Sequence, residues 1–154
     1  MTPRRYSLAL IPCTKTKNPA GVTARTLYRG GIFSLMLRHA MQRCDRVLIM
    51  SALHGLVELD APIGPYDAFL LALSPYDRAL LARKMKPQVD ALIEEPRILS
   101  YLYIPYFNFF RDLAPKAVVD ATHRPYKGLP TAPATLQRVL SNEIRCYETH
   151  PSRR

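Results

Sequence analysis

One segment of the chain, residues 51–67, concentrates side chains that suit acid–base and glycosidic chemistry. It holds a hydroxyl, an imidazole, three carboxylates and a phenol within seventeen residues. Carboxylates suit cleavage of a glycosidic bond, because an anion stabilises the oxocarbenium-like transition state and can orient water. We expect Asp67 or Asp60 in that role, with His54 and Ser51 contacting the leaving base or a phosphate.

The same residues also have ordinary structural explanations when they are taken one at a time. His54 or Ser51 could cap the end of a strand or helix, and Asp60 and Asp67 could cap turns. Their combination in one segment favours a site, in which Tyr66 could stack on a base.

A second candidate segment, residues 12–24, opens with two lysines and two threonines directly after an apolar run. Such a loop could hold a phosphate, although the GxxxxGK[ST] spacing of a P-loop is absent. A solvated surface loop is the alternative. Cys13 is either a nucleophile or a small buried hydrophobe at a strand end. Lyase chemistry through Lys15 or Lys17 would require an amine whose pKa is lowered by burial.

Two further groups of cations and aromatics are candidates for nucleic-acid contact. Arg25, Tyr28 and Arg29 could grip a phosphate at the start of a helix, or only pack. The segment 121–130 suits stacking and charge contact with single-stranded or flipped nucleotides, with a plain surface turn as the alternative. The residues expected to make that contact are His123, Arg124, Tyr126 and Lys127.

Short apolar segments alternate along the chain with segments whose apolar residues have helical spacing. Ser74, Pro75 and Asp77 form a helix start, and Pro87 is expected to kink or split the helix that follows. The aromatic cluster at 101–110 is expected to be core. The pattern predicts strands at 6–11, 46–50, 97–104 and 117–120, and helices at 32–44, from 74 onward, at 106–113 and at 131–140.

This alternation predicts one α/β domain over residues 1–154, a three-layer sandwich with a mostly parallel sheet. Basic tails at about 1–4 and 149–154 are expected to be flexible. Parallel sheets bind ligands outside the carboxyl ends of their strands. The loops after the first, second and fourth predicted strands contain the unusual residues, so we expect the site at that edge.

The charge of the chain is uneven. The net charge is +10, and residues 1–44 hold eight basic residues and no acidic one. Residues 45–123 hold eight basic and ten acidic residues, whereas residues 124–154 hold six and two. If the two ends fold onto one side, they form a basic face suited to a phosphate backbone. DNA is therefore an expected partner, and a merely solvated surface is the alternative.

Several classes of protein are not expected. No apolar run approaches the roughly 20 residues of a transmembrane helix, so no membrane association is expected. The apolar run near the start is short for a secretory signal. The three cysteines, at 13, 44 and 146, contain no CxxC pair. We therefore expect neither disulfides nor a metal or other cofactor, and a cytoplasmic location.

The motifs resemble those of a family of small bacterial and phage domains of largely unassigned function. Its pattern is a strand ending in PCxxTK, then LY with a following F, then SAxHGLV and PYD. The corresponding residues here are 12–17, Leu27 and Tyr28 with Phe33, 51–57 and 65–67.

The segment 51–67 is also similar, more distantly, to the SGLYGxLxPxDxxxPY stretch of the YaaA peroxide-stress proteins, which bind DNA. His54 and Asp67 depart from that stretch. The opening PC motif is faintly similar to that of archaeosine synthase. The residues that match the YaaA stretch are Ser51, Leu53, Gly55, Asp60, Pro65 and Tyr66.

The resemblance implies nucleic-acid binding and base chemistry, because related small domains look like DNA glycosylases that act on modified phage bases. We therefore expect a DNA glycosylase of antiviral defence that flips a modified base and leaves an abasic site. The usual uracil-DNA glycosylase motifs are not evident. A non-catalytic DNA- or RNA-binding protein of the YaaA type is one alternative. A nucleoside or nucleotide N-glycosyl transferase or hydrolase is another, and the +10 charge counts against it.

Overall fold

The computed structural model describes residues 6–14, 17–28, 31–92, 94–121 and 133–149. Within these residues the chain forms five strands and five α-helices, with a short 3₁₀ helix at Leu70–Ala72. The strands are β1 (Tyr6–Pro12), β2 (Cys44–Ser51), β3 (Gly55–Glu58), β4 (Ile98–Ser100) and β5 (Val119–Ala121). The helices are α1 (Ala24–Leu27), α2 (Gly31–Arg43), α3 (Pro75–Asp90), α4 (Ile104–Leu113) and α5 (Pro133–Thr149).

The strands form a single sheet in the order β3-β2-β1-β4-β5. β1 pairs in parallel with β2 and β4, and β4 pairs in parallel with β5. Only β3 runs antiparallel, against β2. The expected α/β fold with a mostly parallel sheet is therefore confirmed. Since β1 is followed by β2 on one side and flanked by β4 on the other, the strand order reverses between β1 and β4.

Helices cover both faces of the sheet. Four consecutive residues of β1, from Leu8 to Ile11, have no exposed surface, although their side chains alternate between the two faces. α2 packs against α5 and against β1 and β2, whereas α3 packs against α4 and β3. Among the described residues, no helix is long and apolar enough to cross a membrane.

Local sequence explains where α3 begins, but the helix is not split at Pro87. The Ser74 hydroxyl accepts a hydrogen bond from the Asp77 N–H at 3.1 Å, and Pro75 occupies the first turn. A split at Pro87 was the wrong expectation, because α3 continues through it to Asp90. Only one helical N–H is lost there, close to the end of the helix, and the buried Val89 still packs in the core.

Several predicted boundaries were wrong. β3 lies in a segment that was expected to be loop, and α1 was not predicted. β4 has only three residues, because the Leu102 N–H bonds to the Ser100 hydroxyl at 3.1 Å and Pro105 starts α4. α5 is longer than expected and includes Thr149, which was assigned to the C-terminal tail.

A chain of polar contacts centred on the buried His39 joins α2, the segment after β4, and α5. His39 is 2% exposed, and its two ring nitrogens contact the Tyr101 hydroxyl and the Glu143 carboxylate. Burial lowers the pKa of His39 more than the Glu143 carboxylate raises it. We infer a neutral imidazole at pH 7 that donates a hydrogen bond from Nε2 to Glu143 and accepts one at Nδ1 from the Tyr101 hydroxyl.

Candidate functional site

The first two candidate loops lie side by side beyond the carboxyl ends of β1 and β2. The Ala24 N–H donates to the Ala61 carbonyl at 3.0 Å, and the Ile63 N–H donates to the Val22 carbonyl at 3.2 Å. The Arg25 N–H adds a third bond, to the carbonyl of Leu59, at 2.8 Å. These backbone bonds hold the two loops as one unit, as the sheet topology predicted.

Three hydroxyl groups form a chain at the centre of this unit. The Tyr66 hydroxyl lies 2.7 Å from the Ser51 hydroxyl and 2.6 Å from the Tyr28 hydroxyl. Ser51 and Tyr28 are buried, and Tyr66 is half-buried. Burial raises the pKa of Tyr66 and of Tyr28 above the ordinary phenol value, so both phenols remain protonated.

Ser51 also fixes the turn between β2 and β3. Its hydroxyl accepts hydrogen bonds from the Leu53 N–H at 3.2 Å and the His54 N–H at 3.0 Å. The turn closes at Gly55, whose φ of 76° is one that side chains rarely allow. The serine that the sequence singled out therefore has a structural role at the end of β2.

Lys17 covers the face of Tyr66. Its Nζ lies 4.4 Å from the ring centroid and donates to the Thr14 carbonyl at 3.0 Å. His54 meets the same ring edge-on, with centroids 5.2 Å apart. The ring is thus covered on one face by an ammonium group and contacted by a perpendicular imidazole, which leaves less room for a base to stack on Tyr66 than the sequence suggested.

A cavity of about 730 Å³ opens beside this cluster. Its size is within the range of small-molecule and cofactor sites, roughly 300–1,000 Å³. It extends from the β2–β3 turn across the 3₁₀ helix to α3, and it combines apolar walls with two lysines and two aspartates. The described residues that line it are Lys17, Ala52, Leu53, Asp67, Ala68, Phe69, Ala72, Leu73, Asp77, Leu80, Leu81 and Lys84.

The two carboxylates of the cavity differ in their hydrogen bonding. Asp77 lies in the first turn of α3, and its carboxylate accepts a hydrogen bond from the hydroxyl of the N-cap residue Ser74 at 3.0 Å. Asp67 is exposed in the loop that follows Tyr66. Because Asp77 already serves the helix start, Asp67 is the better candidate to act on a ligand.

His54 is half-buried near the same cavity. Burial lowers the pKa of its imidazole, and the positive charge of Lys84 lowers it further. We infer that His54 is neutral at pH 7, so it could donate a hydrogen bond to a ligand without carrying a charge.

Asp60 is separate from this group, although the sequence placed it beside Asp67 as a catalytic candidate. Its carboxylate lies 3.4 Å from Nε of Arg25, and its side chain is 84% exposed. Neither residue lines the large cavity. The structure therefore brings Asp67, Lys17, Tyr66, Ser51 and His54 together and leaves Asp60 and Arg25 at α1.

Cys13 is buried at the carboxyl end of β1, with its sulfur 3.5 Å from the Tyr106 hydroxyl. Burial raises the pKa of Tyr106. A smaller cavity of about 270 Å³ lies between this strand end and the start of α2. The described residues around it are Pro12, Cys13, Thr14, Gly31, Ile32, Phe33, Met36 and Tyr103.

Some residues of the cavity were not anticipated from the sequence. Asp77, Leu81 and Lys84 are spaced by four and three residues, so they share one face of α3. This helical spacing was the sequence signal that could have indicated that the three side chains share one surface. The other candidates lie outside the described residues: Lys15, Arg29, His123, Arg124, Tyr126 and Lys127.

Within the part of the chain that the structure describes, no three His, Cys, Asp or Glu side chains are grouped so that they could hold a metal ion. Lysine, hydroxyl and carboxylate groups instead dominate the edge where the site was expected.

Comparison with known proteins gives one match. No curated protein and no solved structure matches the chain. The profile of a family of unknown function, DUF6884, matches residues 8–133, which include both loops of the cavity. Because the match spans most of the 154 residues, the chain belongs to this family of unknown function, DUF6884.

Proposed function

We propose that the protein is a DNA glycosylase, which hydrolyses the N-glycosidic bond of a modified base in DNA and leaves an abasic site. The observation that carries the proposal is the cavity of about 730 Å³ that holds Asp67 together with Lys17 and Lys84. A carboxylate, two cations and apolar walls are the groups that a flipped nucleotide would require.

Each part of a nucleotide has a counterpart among the lining residues. Phe69 and Leu73 offer apolar surface for a base. Lys17 and Lys84 offer positive charge for the phosphates on either side of the nucleotide. Asp67 offers the negative charge that a sugar cation requires.

The proposed reaction breaks the bond between C1′ of the sugar and the nitrogen of the base. The base leaves with the bonding electrons, and the Asp67 carboxylate stabilises the resulting oxocarbenium ion. Water then adds its oxygen to C1′ and gives a proton to Asp67. The neutral His54 donates a hydrogen bond to the departing base, which takes its proton from solvent.

A second candidate function is hydrolysis of the N-glycosidic bond of a free nucleoside or nucleotide. The pairing of surface charges favours this alternative. Within the described ranges, five cations contact carboxylates, and two of them, Arg25 and Arg38, belong to the basic segment 1–44, which reduces the local field available to attract a duplex. The pairs are Arg25 with Asp60, Arg38 with Glu148, Arg46 with Glu58, Lys86 with Asp90 and Arg97 with Asp120.

The deciding experiment incubates the purified protein with unmodified DNA and with heavily modified phage DNA, and counts abasic sites with an aldehyde-reactive probe. We expect abasic sites only in the modified DNA. Asp67→Asn should abolish base release and leave DNA affinity nearly unchanged, because the fold and the two lysines remain. Asp60→Asn is the matched control from the same loop, and it should retain activity.

Three results would contradict the proposal in different ways. DNA that is bound but never loses a base would favour a non-catalytic binding protein. Turnover of free nucleosides or nucleotides without action on DNA would favour the second candidate. Full activity of Asp67→Asn would remove the role assigned to that carboxylate.

A further inference from the structure

Leu53 stands out among the residues that line the large cavity. It lies in the turn between β2 and β3, and 45% of its surface is exposed. It shares the cavity with Asp67 and Lys17. Because no described residue buries this side chain, Leu53 presents an apolar tip to solvent beside polar groups.

The backbone that carries Leu53 is held on both sides. Its own N–H bonds to the Ser51 hydroxyl. On the far side of the turn, the Gln88 amide from α3 bonds to both backbone groups of Leu56, at 2.9 Å and 3.0 Å. A side chain on a fixed backbone loses little conformational freedom when it inserts into another molecule.

The surroundings of Leu53 suit a strongly anionic and partly apolar partner. Leu80 of α3 is 42% exposed and lines the same cavity, and Lys84 lies one turn further along that helix. Lys17 lies on the side of the cavity formed by the loop after β1. Apolar tips between cations match a nucleic-acid duplex, whose stacked bases lie between two phosphate backbones.

We propose that Leu53 is a wedge that inserts into the base stack of duplex DNA and occupies the space left by the flipped nucleotide. The proposal rests on the proposed function and narrows its substrate to double-stranded DNA. In a single strand no complementary stack needs to be opened, so the wedge should contribute only to reactions on duplexes.

The test compares Leu53→Ala with the wild type on a duplex and on the matching single strand of modified phage DNA. We expect base release from the duplex to fall about tenfold or more, because unstacking is no longer compensated. Release from the single strand should be unchanged. Leu53→Met, which restores an apolar side chain of similar length, should recover most of the duplex activity.

Leu71→Ala is the matched control. Leu71 lies on the 3₁₀ helix and is 61% exposed, more than Leu53, but it does not line the cavity. Its substitution should leave both reactions unchanged. Equal losses on duplex and single strand for Leu53→Ala would overturn the proposal, since Leu53 would then be only a wall of the cavity. No loss on either substrate would overturn it as well.

A second measurement separates the wedge from the chemistry. Asp67→Asn is mixed with a short duplex that carries 2-aminopurine at a mismatch, a site where extrusion costs least. We expect fluorescence to rise as the probe base leaves the stack, and to rise far less when Leu53→Ala is added to the same variant. This readout requires no bond cleavage, so it can succeed even if the protein proves not to be a glycosylase. Equal fluorescence from Asp67→Asn and from the double variant with Leu53→Ala would overturn the wedge proposal and leave the proposed glycosylase function untouched.

Discussion

The hydroxyl of Ser51 lies 2.7 Å from the hydroxyl of Tyr66, and this contact ties the carboxyl end of β2 to the loop that carries Asp67. Tyr66 directly precedes Asp67 in the chain. The position of the proposed catalytic carboxylate therefore depends on a hydroxyl at the end of a buried strand. This dependence makes Ser51 a positioning residue, which does not itself have to touch a substrate.

Ser51→Ala should lower the free energy of unfolding by about 1–3 kcal/mol, because the N–H of His54, the N–H of Leu53 and the Tyr66 hydroxyl lose a buried partner. Tyr66→Phe removes only one of these bonds and should cost less. Urea unfolding of both variants and of the double variant measures the coupling. Additive losses would show that Ser51 and Tyr66 do not act together.

Lys17→Gln should weaken DNA binding to a similar extent for all sequences. The slope of log affinity against log salt should become shallower by about 0.9 if the ammonium neutralises one phosphate. Fluorescence anisotropy over a salt series measures this slope. Lys86→Gln is the control, because Lys86 pairs with Asp90 at 2.8 Å and does not line the cavity. An unchanged slope for Lys17→Gln would place the phosphates elsewhere.

The pKa of His39 predicts how stability depends on pH. The native pKa lies below the unfolded value of about 6.5, so the unfolded chain binds a proton more readily. The stability from neutral His39 is present above that value and is lost as pH falls toward and through the native pKa. Burial has the largest effect on the His39 pKa and lowers it. The charge of Arg43 also lowers this pKa, whereas Glu143 raises it.

Melting temperatures of the wild type should therefore fall between pH 7 and pH 5. His39→Gln should be less stable at pH 7, because the contacts to Tyr101 and Glu143 are disturbed, and should lose less on acidification. Parallel curves for the two proteins would mean that other groups cause the acid sensitivity.

Gly55→Ala should destabilise the fold by about 1–2 kcal/mol, since φ is 76° and a Cβ would approach the Gln88 amide oxygen to 2.5 Å. Gly64→Ala is the matched control from the same loop, because its Cβ would meet nothing within 4 Å. That change should be neutral or slightly stabilising. Equal stability of the two variants, measured by urea unfolding, would contradict the strain assigned to Gly55.

The fold class could be predicted because the buried strands are continuous apolar runs. Residues 8–11 and 47–50 are buried on both faces and contain no polar residue, which identifies them as central strands. β3 could not be predicted in this way. It has four residues and a single neighbour in the sheet, so its sequence has little apolar surface to reveal it.

The edge rule predicted where the candidate residues meet, but it predicted only in part which of them lie together. Ser51, His54, Tyr66 and Asp67 are close in sequence, so one loop reveals them. Asp60 belongs to the same loop and yet pairs with Arg25, because α1 lies on that side. Contacts with α3 depend on how the helix packs, and no local pattern around residue 51 contains that information.

The hydrogen bonds between the Gln88 amide and the backbone of Leu56 also affect the exposed edge of the sheet. β3 forms one border of the sheet, and on such a border every second residue turns its N–H and C=O away from the sheet. For Leu56 both groups are taken by one side-chain amide, which imitates the peptide of an additional strand. A foreign strand would have to displace that amide before it could pair there. At Leu56, the edge of β3 is thus capped by a single glutamine.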